Sequence, residues 1–170
     1  LSIDGGGGIG LAAINTAQIA GAGRIIAIDK DPTKLELAKK FGATDAVEAG
    51  DDVAKRVMEM TGGGVHYSFE AIGLKQTVEQ SFSMLRSGGT ATVIGMIPVG
   101  TRVEFHGVDF RRERRIQGCM MGSNRFRVDM PRLVDFYMNG RLKLDEMISG
   151  RLKLEQINEG FAQMVKGGIA

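Results

Sequence analysis

Short apolar runs rich in β-branched residues alternate with amphipathic stretches along the first two thirds of the chain. The apolar runs predict six strands, at residues 1–4, 24–29, 45–49, 65–71, 90–95 and 115–121. Between the first five strands, the sequence predicts helices near residues 9–20, 32–41, 52–60 and 76–86. Strands that alternate with helices indicate βαβ units and a parallel sheet.

The pattern also indicates how the sheet is covered. Residues 25–28 and 92–94 are apolar at consecutive positions rather than at every second one, which is typical of strands buried on both faces. Six such strands fit an α/β fold with a doubly wound parallel sheet in the order 3-2-1-4-5-6 and helices on both faces. Two further helices are predicted at 126–138 and 154–165, and the length of 170 residues predicts one domain, 1–170.

Composition limits the partners that we expect. The 22 basic and 20 acidic residues leave a net charge of +2, too balanced to indicate a nucleic-acid partner, and we expect ion pairs in the arginine-rich region 102–132. No apolar run is long enough to predict a membrane partner. One cysteine and two histidines provide no metal-ligand cluster, and the single cysteine favours a reducing, cytoplasmic location. The start lacks a methionine, so we interpret the chain as an internal part of a longer protein.

A glycine-rich loop is the strongest chemical signal. Gly5, Gly7 and Gly10 form a G-x-G-x-x-G motif that follows a predicted strand and opens a predicted helix. In this context the first glycine permits a tight turn, the second lets a pyrophosphate approach the backbone, and the third lets the helix lie close to the sheet. The unpaired N–H groups at the start of the helix favour phosphate oxygens. A glycine turn without a ligand is the structural alternative.

An acidic residue stands where this motif expects one. Asp29 ends the second predicted strand, 19 residues after Gly10, and a carboxylate there accepts hydrogen bonds from ribose hydroxyls. It also repels a 2′-phosphate, which favours NAD over NADP. Lys34 lies about one helical turn further on and is predicted to reach the same ribose.

The glycine loop admits a second hypothesis. Methyltransferases that use S-adenosylmethionine also place a glycine loop after their first strand and an acid after their second, and Asp4-x-Gly6-x-Gly8 fits that pattern. Residues 65–73 lack the Asn-Pro-Pro-aromatic motif of that class, however, and its loop does not need Gly10. The methyltransferase therefore remains an alternative.

Seven segments in the same order resemble the nucleotide-binding Rossmann domain of zinc-dependent, medium-chain alcohol dehydrogenases. The resemblance covers essentially the whole chain, and this collinearity is more specific than the loop alone. The segments lie at residues 5–10, 20–29, 39–45, 61–73, 85–90, 93–96 and 157–161.

The resemblance implies a set of cofactor-binding residues. The pyrophosphate would be bound by Gly5, Gly7, Gly8, Ile9 and Gly10, and the adenosine ribose by Asp29 and Lys34. The adenine or nicotinamide-ribose side would be lined by Ile72 and Gly73, and the nicotinamide ribose by Val93, Gly95 and Met96. The carboxamide would be bound by Cys119 and Met121. Cys119 and Met121 are expected in the sixth strand. Asp4 stands where the family usually has an apolar or small residue, and an ionised carboxylate there is expected to weaken phosphate binding unless it is solvated.

The resemblance also implies a function that needs a second domain. In this family an earlier domain supplies the catalytic zinc, which holds the alcohol as an alkoxide while hydride passes to the nicotinamide. Those zinc ligands are absent from this chain, so no catalytic or metal residue is assigned, and we expect the chain alone to bind NAD without turnover. The remaining alternative is a stand-alone NAD-binding or dimerisation module without catalysis. The edge strand 115–121 is expected to join two copies into a homodimer.

Overall fold

A six-stranded parallel sheet forms the centre of the computed structural model, which describes residues 1–166. The strands are β1 (Ser2–Asp4), β2 (Ile26–Asp29), β3 (Asp45–Glu48), β4 (Val65–Glu70), β5 (Leu85–Val93) and β6 (Arg115–Gly118). The helices are α1 (Gly8–Ile19), α2 (Pro32–Lys40), α3 (Val53–Thr61), α4 (Lys75–Ser83), α5 (Phe126–Met138) and α6 (Ile157–Lys166). The order β3-β2-β1-β4-β5-β6 confirms the predicted doubly wound topology.

Helices cover both faces of the sheet, as the apolar runs predict. On one face, Leu11 of α1 and Leu35 of α2 pack in the same cluster as Ile3 of β1. On the other face, Val57 of α3 and Phe82 of α4 form a second cluster with the strands. All four positions of β2 are buried, because this strand lies inside the sheet and is covered from both sides.

The prediction was wrong about where β5 begins. The strand starts at Leu85, five residues before Thr90, and α4 ends at Ser83, short of its predicted end. Met84 and Leu85 are fully buried, and the Met84 carbonyl accepts a hydrogen bond of 3.0 Å from the Val65 N–H. Burial of Leu85 opposite Val65 therefore starts the strand early, although Arg86, Ser87 and Gly88 after it are exposed and the register with β4 shifts there.

The prediction was also wrong in placing Cys119 and Met121 within the sixth strand. β6 ends at Gly118, which pairs with Val93, the last residue of β5. The Cys119 N–H still donates to the Val93 carbonyl at 3.0 Å, but β5 offers no further ladder positions. Met121 instead begins a three-residue 3-10 turn with a φ of 49°.

The last third of the described chain lies largely on the surface. α5 has its predicted bounds, whereas α6 begins later than predicted because a 3-10 turn, Leu154–Gln156, precedes it. Neither helix contains a buried residue. None of the helices within residues 1–166 is long and apolar enough to cross a membrane.

Candidate cofactor site

The glycine loop lies where β1 passes into α1, at the carboxyl edge of the sheet. It is tied to β2, because the Gly5 N–H donates to the Ile28 carbonyl at 2.8 Å and the Gly6 N–H donates to Asp29 Oδ2 at 2.6 Å. Gly7 is the N-cap of α1 in an extended conformation, and none of the side chains that the structure describes caps the helix. The first N–H groups of α1 therefore remain available to an anion, and the helix dipole favours negative charge there.

Asp29 connects the loop to α2 and is 8% exposed. Besides the bond from Gly6, its Oδ1 accepts a hydrogen bond of 2.9 Å from the Asp31 N–H. A carboxylate offers about four acceptor positions, so two remain for other donors such as ribose hydroxyls. Lys34 lies beside the loop, since a Cβ added at Gly6 would be 2.8 Å from the Lys34 Cβ. The structure thus brings the predicted loop, acid and lysine together.

A cavity of about 490 Å³ opens beside these residues. Its volume is within the range of small-molecule sites. Five predicted residues line it: Gly5, Gly7, Asp29, Lys34 and Ile72. Other lining residues were missed from the sequence, among them Gly50, Asp51, Leu74, Gln76 and Gln80. The position of Gly50 and Asp51 just after β3 could have indicated them, because ligands of such sheets bind at the carboxyl ends of the strands.

The ends of β4 and β5 meet at the same edge of the sheet. A Cβ added at Gly95 would be 2.2 Å from the Gly73 nitrogen, so the backbone approach at Gly95 requires glycine. Met96 follows with a largely exposed side chain. The Cys119 N–H reaches this edge through its bond to Val93. This edge therefore carries Gly73, Gly95, Met96 and the Cys119 N–H, whereas Met121 lies in the 3-10 turn after β6.

Asp4 is buried rather than solvated, with 2% of its surface exposed. Burial raises the pKa of this carboxyl well above its usual range, and the nearby negative charge of Glu70 raises it further. The expected repulsion between Asp4 and a phosphate requires an ionised carboxylate. The structure instead favours the protonated form.

Glu70, at the end of β4, is a functional candidate that sequence reasoning missed. Its side chain is fully buried, and Oε1 accepts hydrogen bonds from the Ile72 N–H, the Gly73 N–H and the Thr77 hydroxyl at 2.9, 2.7 and 2.7 Å. These bonds organise the turn that follows β4. A charged residue inside a buried strand was the available signal, because such a group must be paired or hydrogen-bonded.

Charged side chains of the arginine-rich region form ion pairs, as the sequence predicts. In the arginine-rich region, Arg114 pairs with Asp109 at 3.1 Å and Arg125 pairs with Asp129 at 3.3 Å, which confirms the predicted ion pairs. Within residues 1–166, no group of three His, Cys, Asp or Glu side chains is placed to hold a metal ion. The described side chains therefore do not fit a zinc site.

Sheet order and the loop at its carboxyl edge define a Rossmann-type α/β domain. A family model described as zinc-binding dehydrogenase matches residues 8–138. Alcohol dehydrogenase-like 5 of Arabidopsis thaliana is 40% identical over 98% of this chain and 44% of its own length. Alcohol dehydrogenase 1 of Zea mays is 35% identical over 98% of the chain and 45% of its own. The chain belongs to the zinc-binding dehydrogenase family.

Solved structures agree with this assignment. Benzyl alcohol dehydrogenase from Acinetobacter calcoaceticus superposes with a TM-score of 0.94 and 30% identity, over 99% of this chain and 47% of that one. A zinc-binding dehydrogenase from Sinorhizobium meliloti 1021, bound to NADP, superposes with a TM-score of 0.77 and 34% identity, over 87% of this chain and 44% of that one. The chain thus spans about half the length of these relatives, and the methyltransferase alternative is not supported.

Proposed function

We propose that this chain is the NAD(H)-binding part of an oxidoreductase that transfers hydride between an alcohol and a nicotinamide cofactor. The observation that carries the proposal is the uncapped start of α1 beside Asp29, at the mouth of a cavity. The alcohol dehydrogenases among its relatives and the NADP-bound neighbour support the cofactor class and the reaction.

The residues present suit each part of a dinucleotide. The first N–H groups of α1 would bind the pyrophosphate, and the free acceptor positions of Asp29 would bind the adenosine ribose. The cavity beside Ile72 would hold the adenine, while Gly95 and the backbone near Cys119 would flank the nicotinamide end. The nicotinamide supplies the hydride acceptor when it is bound. What this chain contributes is binding and orientation.

The alcohol and the zinc require residues beyond those described. Residues 1–166 carry no donor set that fits zinc. We propose that the remaining half of the longer protein supplies that donor set. The isolated chain is accordingly expected to bind cofactor without oxidising alcohols. A cytoplasmic location remains a prediction from the cysteine content.

Replacing Asp29 tests the cofactor assignment. In Asp29→Ala, we expect the NADH dissociation constant to rise about 10- to 100-fold, because hydrogen bonds to a charged group contribute roughly 1.5–3 kcal/mol. NADPH should lose less affinity than NADH, because the substitution also removes the repulsion between the Asp29 carboxylate and the 2′-phosphate of NADPH. Fluorescence titration with both cofactors measures the ratio.

Asp29→Asn is the matched variant, because its amide oxygen still accepts the Gly6 N–H, whereas its amide nitrogen cannot accept the Asp31 N–H. It should shift preference towards NADPH, with a urea midpoint between those of the parent and Asp29→Ala. An equal loss for NADH and NADPH in both variants would remove Asp29 from the ribose site.

We also propose that two copies pair through β6 as a homodimer. β6 is the last strand in the sheet order, with β5 as its described neighbour, and residues 115, 117 and 118 are exposed. Because the Cys119 N–H points towards β5, the alternation of a strand directs the Ile116 N–H outward. An open strand edge of this kind pairs readily with another strand.

Sedimentation equilibrium at micromolar concentration is expected to show twice the mass of one chain. Ile116→Pro removes the outward N–H and should yield monomers, whereas Ile116→Val keeps it and should remain dimeric. Circular dichroism shows whether each variant is folded. A parent chain that is monomeric throughout this range contradicts the proposed dimer.

A further inference from the structure

Two buried carboxyl groups lie side by side beneath the glycine loop. Asp4 and Glu70 are register partners on the adjacent strands β1 and β4, with exposures of 2% and 0%. Within residues 1–166, one oxygen of each, Asp4 Oδ2 and Glu70 Oε2, is buried and has no hydrogen-bond partner. Two ionised carboxylates so placed would repel each other and lose hydration, so the arrangement favours one shared proton.

Groups on the surrounding elements do not neutralise the pair. Asp4 faces the apolar Ile28 across β1 and β2, and α4 contributes the uncharged Thr77 hydroxyl to Glu70. Lys75 of α4 is paired at the surface with two other acids. Burial, and after it the charge of Glu70, raise the pKa of Asp4. A proton is therefore the remaining means of balancing the second carboxyl.

The two carboxyls differ in what surrounds them. Glu70 Oε1 accepts three hydrogen bonds, which stabilise a negative charge on Glu70. Its Oε2 lies beside Gly95, two residues after β5, because a Cβ added at Gly95 would be 2.6 Å away. In the part of the chain that the structure describes, no such set of donors binds the Asp4 carboxyl, so Asp4 is the better holder of the proton.

We propose that Asp4 is a positioning residue that stays protonated and donates to Glu70 Oε2, so that the pair holds the turn after β4 against the glycine loop. Through Glu70, Asp4 orients the Ile72 and Gly73 backbone.

A further consequence rests on the proposed cofactor function. Loss of the proton at alkaline pH places an additional negative charge one residue before the loop and weakens binding of an anionic cofactor.

Three forms of the chain test the proton directly and without cofactor. Infrared difference spectra of the parent minus Asp4→Asn at neutral pH should show the carbonyl band of a protonated carboxylic acid. Asp4→Asn should keep parental folding because its amide still donates to Glu70, whereas Asp4→Leu, which lacks a donor, should have a lower urea midpoint. Absence of the acid band, or equal midpoints for the Asn and Leu variants, overturns the proposal.

The pH dependence adds a second readout. Because the folded state holds the Asp4 proton more tightly than the unfolded state, stability of the parent relative to Asp4→Asn should fall as pH rises from about 4 through the raised pKa. NADH affinity of the parent should fall about tenfold for each unit by which binding raises that pKa, and that of Asp4→Asn should not. Parallel stability curves overturn the proposal, whereas absent NADH binding at every pH overturns only the proposed function.

Discussion

Gly10→Ala is expected to destabilise the chain by more than about 3 kcal/mol, which is severe for a single added methyl group. A Cβ at this position would be 1.6 Å from the Gly5 carbonyl oxygen. Gly5 cannot move aside easily, because its N–H is bound to Ile28 in the sheet. α1 would have to leave the sheet, together with the packing of Leu11 and Ile14. Urea unfolding followed by circular dichroism measures the loss.

Gly8→Ala is the matched control, because it adds the same methyl group two residues earlier in the same helix. A Cβ at Gly8 would meet nothing within 4 Å. Alanine also favours a helix by roughly 1 kcal/mol over glycine, so this variant should be as stable as the parent or slightly more. Equal stability of Gly8→Ala and Gly10→Ala would mean that α1 does not approach the loop as described.

Gly7→Ala is expected to produce the largest loss of cofactor binding with little loss of stability. A Cβ at Gly7 would meet no atom of residues 1–166 within 4 Å, and the extended backbone there suits alanine. In the proposed complex, however, this space is occupied by the pyrophosphate. We expect the NADH dissociation constant to rise on the order of 100-fold, or about 2.7 kcal/mol, while unfolding changes by less than about 1 kcal/mol.

Gly23→Ala provides the control for Gly7→Ala, since a Cβ at Gly23 also meets open space but lies in the turn before β2. Both its stability and its NADH affinity should equal those of the parent. Calorimetric titration separates the two variants. If Gly7→Ala binds NADH as tightly as Gly23→Ala does, the glycine loop is not the pyrophosphate site.

The two predictions distinguish different functions of glycines in one motif. Gly10 is required by contacts within the folded chain, whereas Gly7 is proposed to be required by a ligand. The sequence motif predicts both requirements. The structure shows directly only the one at Gly10, because it involves atoms of the chain itself and not a ligand. The distance at Gly10 is a property of the fold, and the open space at Gly7 is what a cofactor would need.

The predictions from sequence succeeded where the physical signal was local. Consecutive apolar residues identified β2 as a strand covered on both faces, and the spacing from Gly10 placed Asp29 at its end. They failed at β5 and after β6, where the strand limits depend on the neighbouring strand. Leu85 joins the sheet because Val65 lies opposite it, and Cys119 leaves the sheet because β5 stops at Val93.

By itself, the sequence determined the alternation of strands and helices and the loop with its acid, because these follow from periodicity or from short spacings along the chain. The strand order was inferred from the doubly wound fold that this alternation fits. Only the tertiary structure decided the environment of Asp4. A carboxyl after a strand is ionised if water reaches it. Here β1 lies between β2 and β4, so Asp4 is buried beside Glu70, a residue 66 positions away. Contacts between residues so far apart in the sequence decide whether the Asp4 carboxyl is charged, and the residues next to Asp4 in the sequence do not predict those contacts.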